Sequence, residues 1–333
     1  LIFLNPRSIC FFAILILSTM IVLSTNSWFL SWIGLELNIL SFIPIILNKN
    51  NQQLTEASIK YFLIQALASI IFLLNSILYS WYFFNSLIFI TMITISLLLK
   101  LGAAPFHIWF PMVAEGLSWS KFLILATIQK INPLILLMNI SMENPIILMA
   151  AILSGIWGAL GGLNLTLLRS MMAFSSINHI GWLLLASSIN NYLMWTYFSI
   201  YLLILFPVTQ LLNNFNLTYL TQMSMSNNIS SMSKILIICC LMSLGGLPPF
   251  LGFLPKWIVI KSATSLLMIA IVIILIISTL VTLYYYLRIS FNNMMLSSNL
   301  WNKNINLNIN TQLKSLSFFS IVGLTMSNWL INF

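Results

Sequence analysis

The chain has 333 residues, of which 60% are hydrophobic and only 5% are charged, and its formal net charge is +9. A soluble domain carries about 25% charged residues, so this composition excludes a protein whose whole surface faces water. Nucleic-acid binding is also disfavoured, because the basic residues are dispersed singly and form no patch. Cys10, Cys239 and Cys240 match neither a metal-ligand spacing nor a disulfide framework.

Apolar runs of helix length recur along the chain. A membrane-spanning helix needs about 20 mostly apolar residues, and backbone groups inside a bilayer are satisfied only in helices or closed barrels. Barrel strands would alternate apolar and polar residues, and these runs do not. The sequence therefore predicts an all-α polytopic membrane protein, a single membrane domain over 1–333, with about eleven spans. They fall near 8–25, 27–47, 56–79, 85–108, 119–139, 145–163, 168–188, 191–212, 235–260, 264–288 and 313–331.

The basic residues fall mainly on one side of this predicted map. If eleven spans alternate from Arg7, most lysines and arginines share the side of Arg7, whereas Glu143 and Lys261 lie on the other side. Positive charge accumulates on the cytoplasmic or matrix face of membrane proteins. We therefore expect the N terminus in the matrix and the C terminus on the opposite side.

A glycine- and proline-containing segment occurs twice. Residues 101–106 (LGAAPF), in the fourth span, recur loosely as residues 244–250 (LGGLPPF) in the ninth span. Five spans apart, the two segments start from opposite sides of the membrane. Such pairs are typical of discontinuous helices at the ion site of transporters, although either segment alone could be a proline kink. The pattern predicts two inverted five-helix repeats with two broken helices, about 8–139 and 145–288, followed by a C-terminal helix at about 313–331.

Four ionisable residues lie in apolar spans where they cannot reach water. They are Glu36, Lys100, Lys130 and Lys256. A charge at the bilayer centre costs about 2.5–3.5 kcal/mol, which simple anchoring would not require. Because burial disfavours an ammonium group and a nearby carboxylate favours it, a buried lysine can alternately hold and release a proton. We therefore predict a proton relay in which Glu36 tunes Lys100, although static ion pairs that lock helices together are the alternative.

The positions of Lys130 and Lys256 in the predicted spans indicate their roles in this relay. Lys130 lies in the fifth span and is expected to carry the charge along the midplane, and Lys256 follows the second break, on the exit side. His107 could serve at a proton entrance and His179 in proton transfer, but interfacial or packing roles are equally open for both. Lys121 is interpreted as a loop residue at the matrix face. No motif indicates a nucleotide, flavin, iron–sulfur or metal site in this chain.

Several longer motifs carry a family resemblance. They are residues 32–44 (WIGLELNILSFIP), 55–62 (TEASIKYF), 100–109 (KLGAAPFHIW), 129–133 (QKINP), 175–182 (SSINHIGW) and 245–257 (GGLPPFLGFLPKW). On these motifs the chain resembles the subunit 2 family of mitochondrial NADH dehydrogenase, respiratory complex I, and its insect-type members in particular.

This resemblance implies an antiporter-like fold and a proton-translocating role that is coupled to quinone reduction elsewhere in the complex. It places the four buried charges on the central charged axis of the family and aligns Ser243 with Lys100. It also implies that this chain holds no cofactor, since NADH, FMN, iron–sulfur clusters and ubiquinone belong to partner subunits. The expected partners are the other membrane-arm subunits and lipids such as cardiolipin, without nucleic acid, in the mitochondrial inner membrane.

Two rival functions remain open at this stage. A cation/proton antiporter subunit would share the fold and the buried lysines. The absence of Asp from the chain disfavours a sodium site, because sodium-type sites use hard oxygen ligands. A noncatalytic membrane scaffold would use the same charges only to hold helices together.

Overall fold

The fold was analysed in a computed structural model, which describes residues 6–47, 51–81, 86–140, 144–225, 231–265 and 268–297. These residues form fourteen α-helices. The chain divides into two compact units, Leu1–Ala151 (the first unit) and Ile152–Phe333 (the second unit), with the border inside the eighth helix. The predicted C-terminal span at 313–331 lies outside the described residues.

The first unit contains seven complete helices and the start of an eighth. They are α1 (Pro6–Ser24), α2 (Trp28–Ile46), α3 (Gln52–Trp81), α4 (Ser86–Leu101), α5 (Trp109–Gly116), α6 (Trp119–Ala126), α7 (Ile128–Met138) and α8 (Pro145–Gly161). Gly34 lets α1 and α2 approach closely, because a Cβ atom at Gly34 would lie 2.5 Å from Val22 Cγ2. Small residues at helix crossings are a common packing device inside membranes.

The second unit contains the remaining helices. They are α9 (Leu168–Ile189), α10 (Asn191–Asn214), α11 (Leu220–Met225), α12 (Ser231–Gly245), α13 (Phe253–Ser265) and α14 (Ile269–Ser297). Helix α9 is buried over most of its length, including four of its five serines, Asn178 and His179. Helix α9 therefore carries a set of buried polar side chains in the interior of this unit.

Seven helical segments within the described residues are long and apolar enough to cross a membrane. They are α1, α2, α3, the α6–α7 segment, α9, α10 and Ile269–Asn293 of α14. Shorter apolar helices account for the predicted fourth, sixth and ninth spans. The prediction of an all-α polytopic membrane protein is confirmed, whereas the number of eleven spans stays a prediction.

The predicted break in the fourth span is present at Gly102. Helix α4 ends at Leu101, and Gly102 adopts a φ of 70°. The Gly102 N–H donates to the Leu99 carbonyl at 3.2 Å, and the Ala103 N–H donates to the Leu98 carbonyl at 3.1 Å. This pair of bonds is a Schellman motif, in which glycine adopts the left-handed conformation that other residues resist.

The break in the ninth span has the same construction. Helix α12 ends at Gly245, and Gly246 has a φ of 86°. The Gly246 N–H donates to the Ser243 carbonyl at 3.1 Å, and the Leu247 N–H donates to the Met242 carbonyl at 3.5 Å. Both predicted broken helices are therefore confirmed, and each stops at one glycine.

A third interruption was not predicted. The fifth span divides at Thr127, which separates α6 from α7 with a φ of −118° and a ψ of −79°. Pro133 lies one turn beyond Gln129 and has no N–H to give to the Gln129 carbonyl. The start of α7 is therefore less firmly bonded than a continuous helix would be.

Two adjacent glycines test the importance of the α12 cap. We expect Gly246→Ala to destabilise the protein by about 1–2 kcal/mol, because a left-handed alanine is strained, and its Cβ would lie 2.8 Å from Lys256 Nζ. Gly245→Ala is the matched control, since it lies in the helix and its Cβ would meet nothing nearer than 3.4 Å. Thermal denaturation of the detergent-solubilised protein measures the difference, and equal midpoints would contradict the role of the cap.

Candidate functional site

Glu36 lies on α2 in the first unit and is half-buried. Its Oε2 atom is buried and has no hydrogen-bond partner among the described residues. It is near enough to Lys100 and Tyr61 to act electrostatically on both, yet no contact ion pair joins Glu36 to Lys100 in this structure, which describes both residues. The tuning of Lys100 by Glu36 therefore stays a prediction.

Lys100 occupies the last turn of α4, immediately before the break. The residue is only 5% exposed, and its Nζ atom has no hydrogen-bond partner within the described part of the chain. The ammonium lies 5.9 Å from the centroid of the Phe72 ring, which offers a weak cation–π contact. The helix end favours a cation at this position, because the last carbonyls of a helix carry partial negative charge.

Lys130 lies on α7, three residues after the Thr127 interruption. It is 2% exposed, and its Nζ atom lies 5.1 Å from the centroid of the Phe110 ring. An ammonium at this distance from a ring face is attracted by the ring quadrupole, and the attraction strengthens when water is excluded. The two lysines of the first unit are thus both buried beside aromatic rings.

Lys100 and Lys130 line one cavity. Its other polar lining residues are Asn38, Tyr61, Gln65 and Gln129, and the rest of the wall is mainly apolar. The cavity leaves about 10 Å³ for the centres of water molecules, which is about what one ordered water requires. The structure therefore brings two of the predicted relay residues to a single water-sized space.

The polar residues of this cavity form bonds that sequence reasoning did not foresee. The Tyr61 hydroxyl donates to Gln129 Oε1 at 2.9 Å, and Gln129 Nε2 donates to Asn38 Oδ1 at 3.0 Å. Gln65 Nε2 donates to the Lys100 carbonyl at 3.3 Å. The available signal was the presence of large polar side chains within apolar spans.

Two of the candidates in the first unit stand apart from the cavity. Glu36 and His107 are not among its lining residues. His107 is buried in the connection between α4 and α5, where its carbonyl accepts a hydrogen bond from the Phe110 N–H at 3.0 Å. An entrance role for His107 stays a prediction.

Lys256 is the buried cation of the second unit. It lies on α13, is 6% exposed, and donates from Nζ to the Gly245 carbonyl at 2.8 Å. This carbonyl belongs to the last residue of α12, so the lysine binds the negative end of a broken helix. Residues 152–333 contain no Asp or Glu, and the backbone supplies the compensating negative charge instead.

The structure also shifts the alignment between the two breaks. Lys100 lies two residues before the left-handed glycine Gly102. The residue two positions before the left-handed glycine Gly246 is Leu244, so Leu244 and not Ser243 is the counterpart of Lys100. Ser243 is buried, and its hydroxyl donates to the Cys240 carbonyl at 2.6 Å. The alignment from sequence was displaced because the second segment contains one more glycine at the break.

His179 lies on α9 in a buried aromatic environment. Its Nδ1 atom is 2.9 Å from the Tyr197 hydroxyl, and its ring lies 5.0 Å from the Tyr201 ring. Both a packing role and a proton-transfer role fit this geometry.

Within the described residues, no group of three or more His, Cys, Asp or Glu side chains gathers as a metal site would require.

The interpretation of Lys121 as a loop residue was wrong. Lys121 lies on α6, is 6% exposed, and donates from Nζ to the Ile46 carbonyl at 2.6 Å. Ile46 is the last residue of α2, so the ammonium satisfies a carbonyl that the helix leaves without an intrahelical partner. The lysine therefore fastens the end of the helix that carries Glu36.

The chain is similar to known proteins over most of its length. The family model described as "NADH:quinone oxidoreductase/Mrp antiporter, TM" matches residues 25–89 and 80–282. The chain belongs to this family. The resemblance seen in the sequence motifs is thereby confirmed.

Individual members of the family show how close the relationship is. The "NADH-ubiquinone oxidoreductase chain 2" of Anopheles gambiae is 46% identical to this chain. The alignment is 333 positions long and covers 95% of each protein. Among solved structures, a chain of respiratory complex I from Thermus thermophilus is 21% identical with a TM-score of 0.79, covering 97% of this chain and 78% of that one. A chain of the Mrp complex from Dietzia is 18% identical with a TM-score of 0.74, covering 82% and 57%. The two structural matches show a shared fold.

Lys121 and Lys60 provide a test of the buried cap. We expect Lys121→Met to destabilise the protein by about 1.5–3 kcal/mol, the usual contribution of a hydrogen bond from a charged group. Lys60→Met is the control, because Lys60 is half exposed and pairs with Glu56 at 3.7 Å on the surface, where such pairs contribute little. Denaturation midpoints in detergent measure both variants. A larger loss for Lys60→Met would refute the assignment.

Proposed function

We propose that this chain is an antiporter-like, proton-translocating subunit of NADH:ubiquinone oxidoreductase, respiratory complex I, in the mitochondrial inner membrane. Its similarity to the Anopheles chain over nearly the whole length of both proteins supports this assignment. The observation that carries the mechanism is the water-sized cavity between Lys100 and Lys130. Two proton-binding groups at one polar space are the minimum that proton transfer between side chains requires.

In the first unit, Glu36 and the cavity define the proposed chemistry. An isolated charge in a low-dielectric interior is costly, so the stability of each ammonium depends on neighbouring charges and dipoles. Glu36 acts on Lys100 without a direct bond. A small movement of this carboxylate, or its neutralisation, would therefore change the ease with which Lys100 releases its proton. A water in the cavity would pass that proton to Lys130.

In the second unit, we assign the exit-side proton to Lys256, held at the end of α12. His107 is proposed at the entrance, and His179, beside Tyr197, as a secondary proton carrier. We further propose that the repeats over about 8–139 and 145–288 are the structural basis of these two stations.

The energy and the redox chemistry come from other chains in this proposal. Each proton moved against 100 mV requires about 2.3 kcal/mol, which a helical bundle cannot generate by itself. NADH, FMN, iron–sulfur clusters and ubiquinone would bind the partner subunits, and the other membrane-arm subunits and lipids such as cardiolipin would contact this chain. The N terminus is assigned to the matrix side and the C terminus to the intermembrane space.

A cation/proton antiporter subunit is the second candidate, because the Mrp chain shares the fold. The two functions differ in their dependence on sodium. Proton uptake that follows NADH oxidation without added sodium supports the complex I assignment, whereas transport driven by a sodium gradient without NADH supports the antiporter.

Lys100 and Glu36 are tested in membrane vesicles that contain the assembled complex. We expect Lys100→Met to remove most NADH-driven proton uptake, because it deletes one proton-binding group of the cavity. Glu36→Gln should lower uptake as well, because the amide cannot supply the negative charge. A pH-sensitive dye measures uptake, and the amount of assembled complex is determined in parallel.

The control for this experiment is Lys60→Met, which removes an exposed lysine. Normal uptake in the Lys100 and Glu36 variants would refute the relay. Loss of assembly without a change in uptake per assembled complex would favour the scaffold.

Lys256 is tested by retaining or deleting its charge. We expect Lys256→Arg to keep the bond to the Gly245 carbonyl and still to lose most of the uptake, because arginine hardly ever releases its proton. Lys256→Met should lower uptake to a similar extent. Proton uptake per NADH oxidised is the measurement, and full activity of the methionine variant would exclude Lys256 from the path.

A further inference from the structure

The hydrogen-bonded chain Tyr61–Gln129–Asn38 crosses three helices of the first unit, α3, α7 and α2. All three side chains are buried, and all three line the cavity that Lys100 and Lys130 share. Buried polar groups are costly unless they bond to one another. Apolar side chains alone could form a well-packed wall for this cavity. Packing therefore does not explain why three buried polar side chains bond to one another here.

The bonds run in one direction through an amide. Gln129 accepts at Oε1 from the Tyr61 hydroxyl and donates from Nε2 to Asn38 Oδ1. Each end of the Gln129 amide is therefore held by a different helix, which fixes both the position and the orientation of the side chain. Fully satisfied networks of this kind make an interior rigid, and loss of one member leaves another unsatisfied.

Gln129 lies beside the interruption between α6 and α7, where the helical hydrogen bonding of the backbone is not continuous. It is the second residue of α7, just beyond the interruption at Thr127, and the next residue is Lys130. Because α7 is not continuous with α6, the start of α7 needs side-chain contacts to set its place. The bonds from α2 and α3 provide them one residue before the lysine.

We propose that Gln129, held by Tyr61 and Asn38, is the positioning residue that fixes the Lys130 ammonium in the cavity shared with Lys100. This inference rests on the proposed function. The chain does not itself conduct protons, because an amide neither takes up nor releases a proton near neutral pH. Proton transfer between the lysines would pass through a water in the cavity, and the Tyr61–Gln129–Asn38 chain holds the Lys130 side of this path.

The test uses the assembled complex in membrane vesicles. Gln129→Met keeps the length of the side chain and removes both bonds, and Tyr61→Phe removes only the hydroxyl. The double variant and Lys130→Met are prepared in the same way. The matched controls are Gln52→Met and Tyr192→Phe, which change exposed residues.

We expect Tyr61→Phe to lower NADH-driven proton uptake about fivefold, the factor that one hydrogen bond of typical net strength contributes, and Gln129→Met, which removes both bonds, to lower it at least as much. The double variant should lose no more than Gln129→Met alone, since residues that act as a unit are not additive. Both single variants should also move the pH optimum of uptake in the same direction, because Lys130 then has different surroundings. A purely structural defect would reduce the amount of complex and leave the optimum in place.

Four results would overturn the inference. Loss of uptake in Tyr61→Phe with normal uptake in Gln129→Met would make Tyr61 a relay residue. Unchanged single variants beside an inactive Lys130→Met would leave the proposed function intact and remove the positioning role, whereas normal uptake in Lys130→Met would remove both. Additive losses in the double variant would show independent roles. If Gln129→Met does not assemble, the pH optimum of Tyr61→Phe, which keeps its ring, decides.

Discussion

The cost of keeping an ammonium group away from water governs the arrangement of this protein. Lys100, Lys130 and Lys256 are all nearly inaccessible, and each finds a different partial compensation. Lys100 has a carboxylate nearby and an aromatic ring, Lys130 has the Phe110 ring, and Lys256 has a backbone carbonyl. None of these three interactions is a contact ion pair. A tight buried pair would resist the movement of a charge, because separating its partners leaves an uncompensated charge.

The broken helices are the means by which the backbone takes part in this compensation. A helix that ends inside the protein exposes carbonyl groups there, and these attract cations. The left-handed glycines Gly102 and Gly246 stop α4 and α12 beside Lys100 and Lys256 respectively. At Lys256, fold and charge placement have one cause, because Gly246 ends α12 and so leaves the Gly245 carbonyl to which the lysine donates.

Much of this architecture could be predicted from local sequence. Apolar runs indicated the helices, the Gly–Pro segments indicated both breaks, and lysines within apolar runs indicated buried charges. Contacts between distant residues could not be predicted in this way. Gln129 and Asn38 are 91 residues apart, and Lys121 bonds to a carbonyl 75 residues away. No periodicity encodes such pairings, and a lysine after a Ser-Trp-Ser stretch looks like a loop residue until α2 is seen to end beside it.

The backbone acceptor of Lys256 differs in kind from the acidic side chain near Lys100. A carboxylate can be neutralised by a single proton, so the surroundings of Lys100 can change with acidity or with events elsewhere. A peptide oxygen stays unprotonated under all physiological conditions and cannot be deleted by replacing a side chain. The second unit thus offers its lysine a constant electrical setting, and genetic lesions can disturb it only through the lysine or through the turn that aims the oxygen.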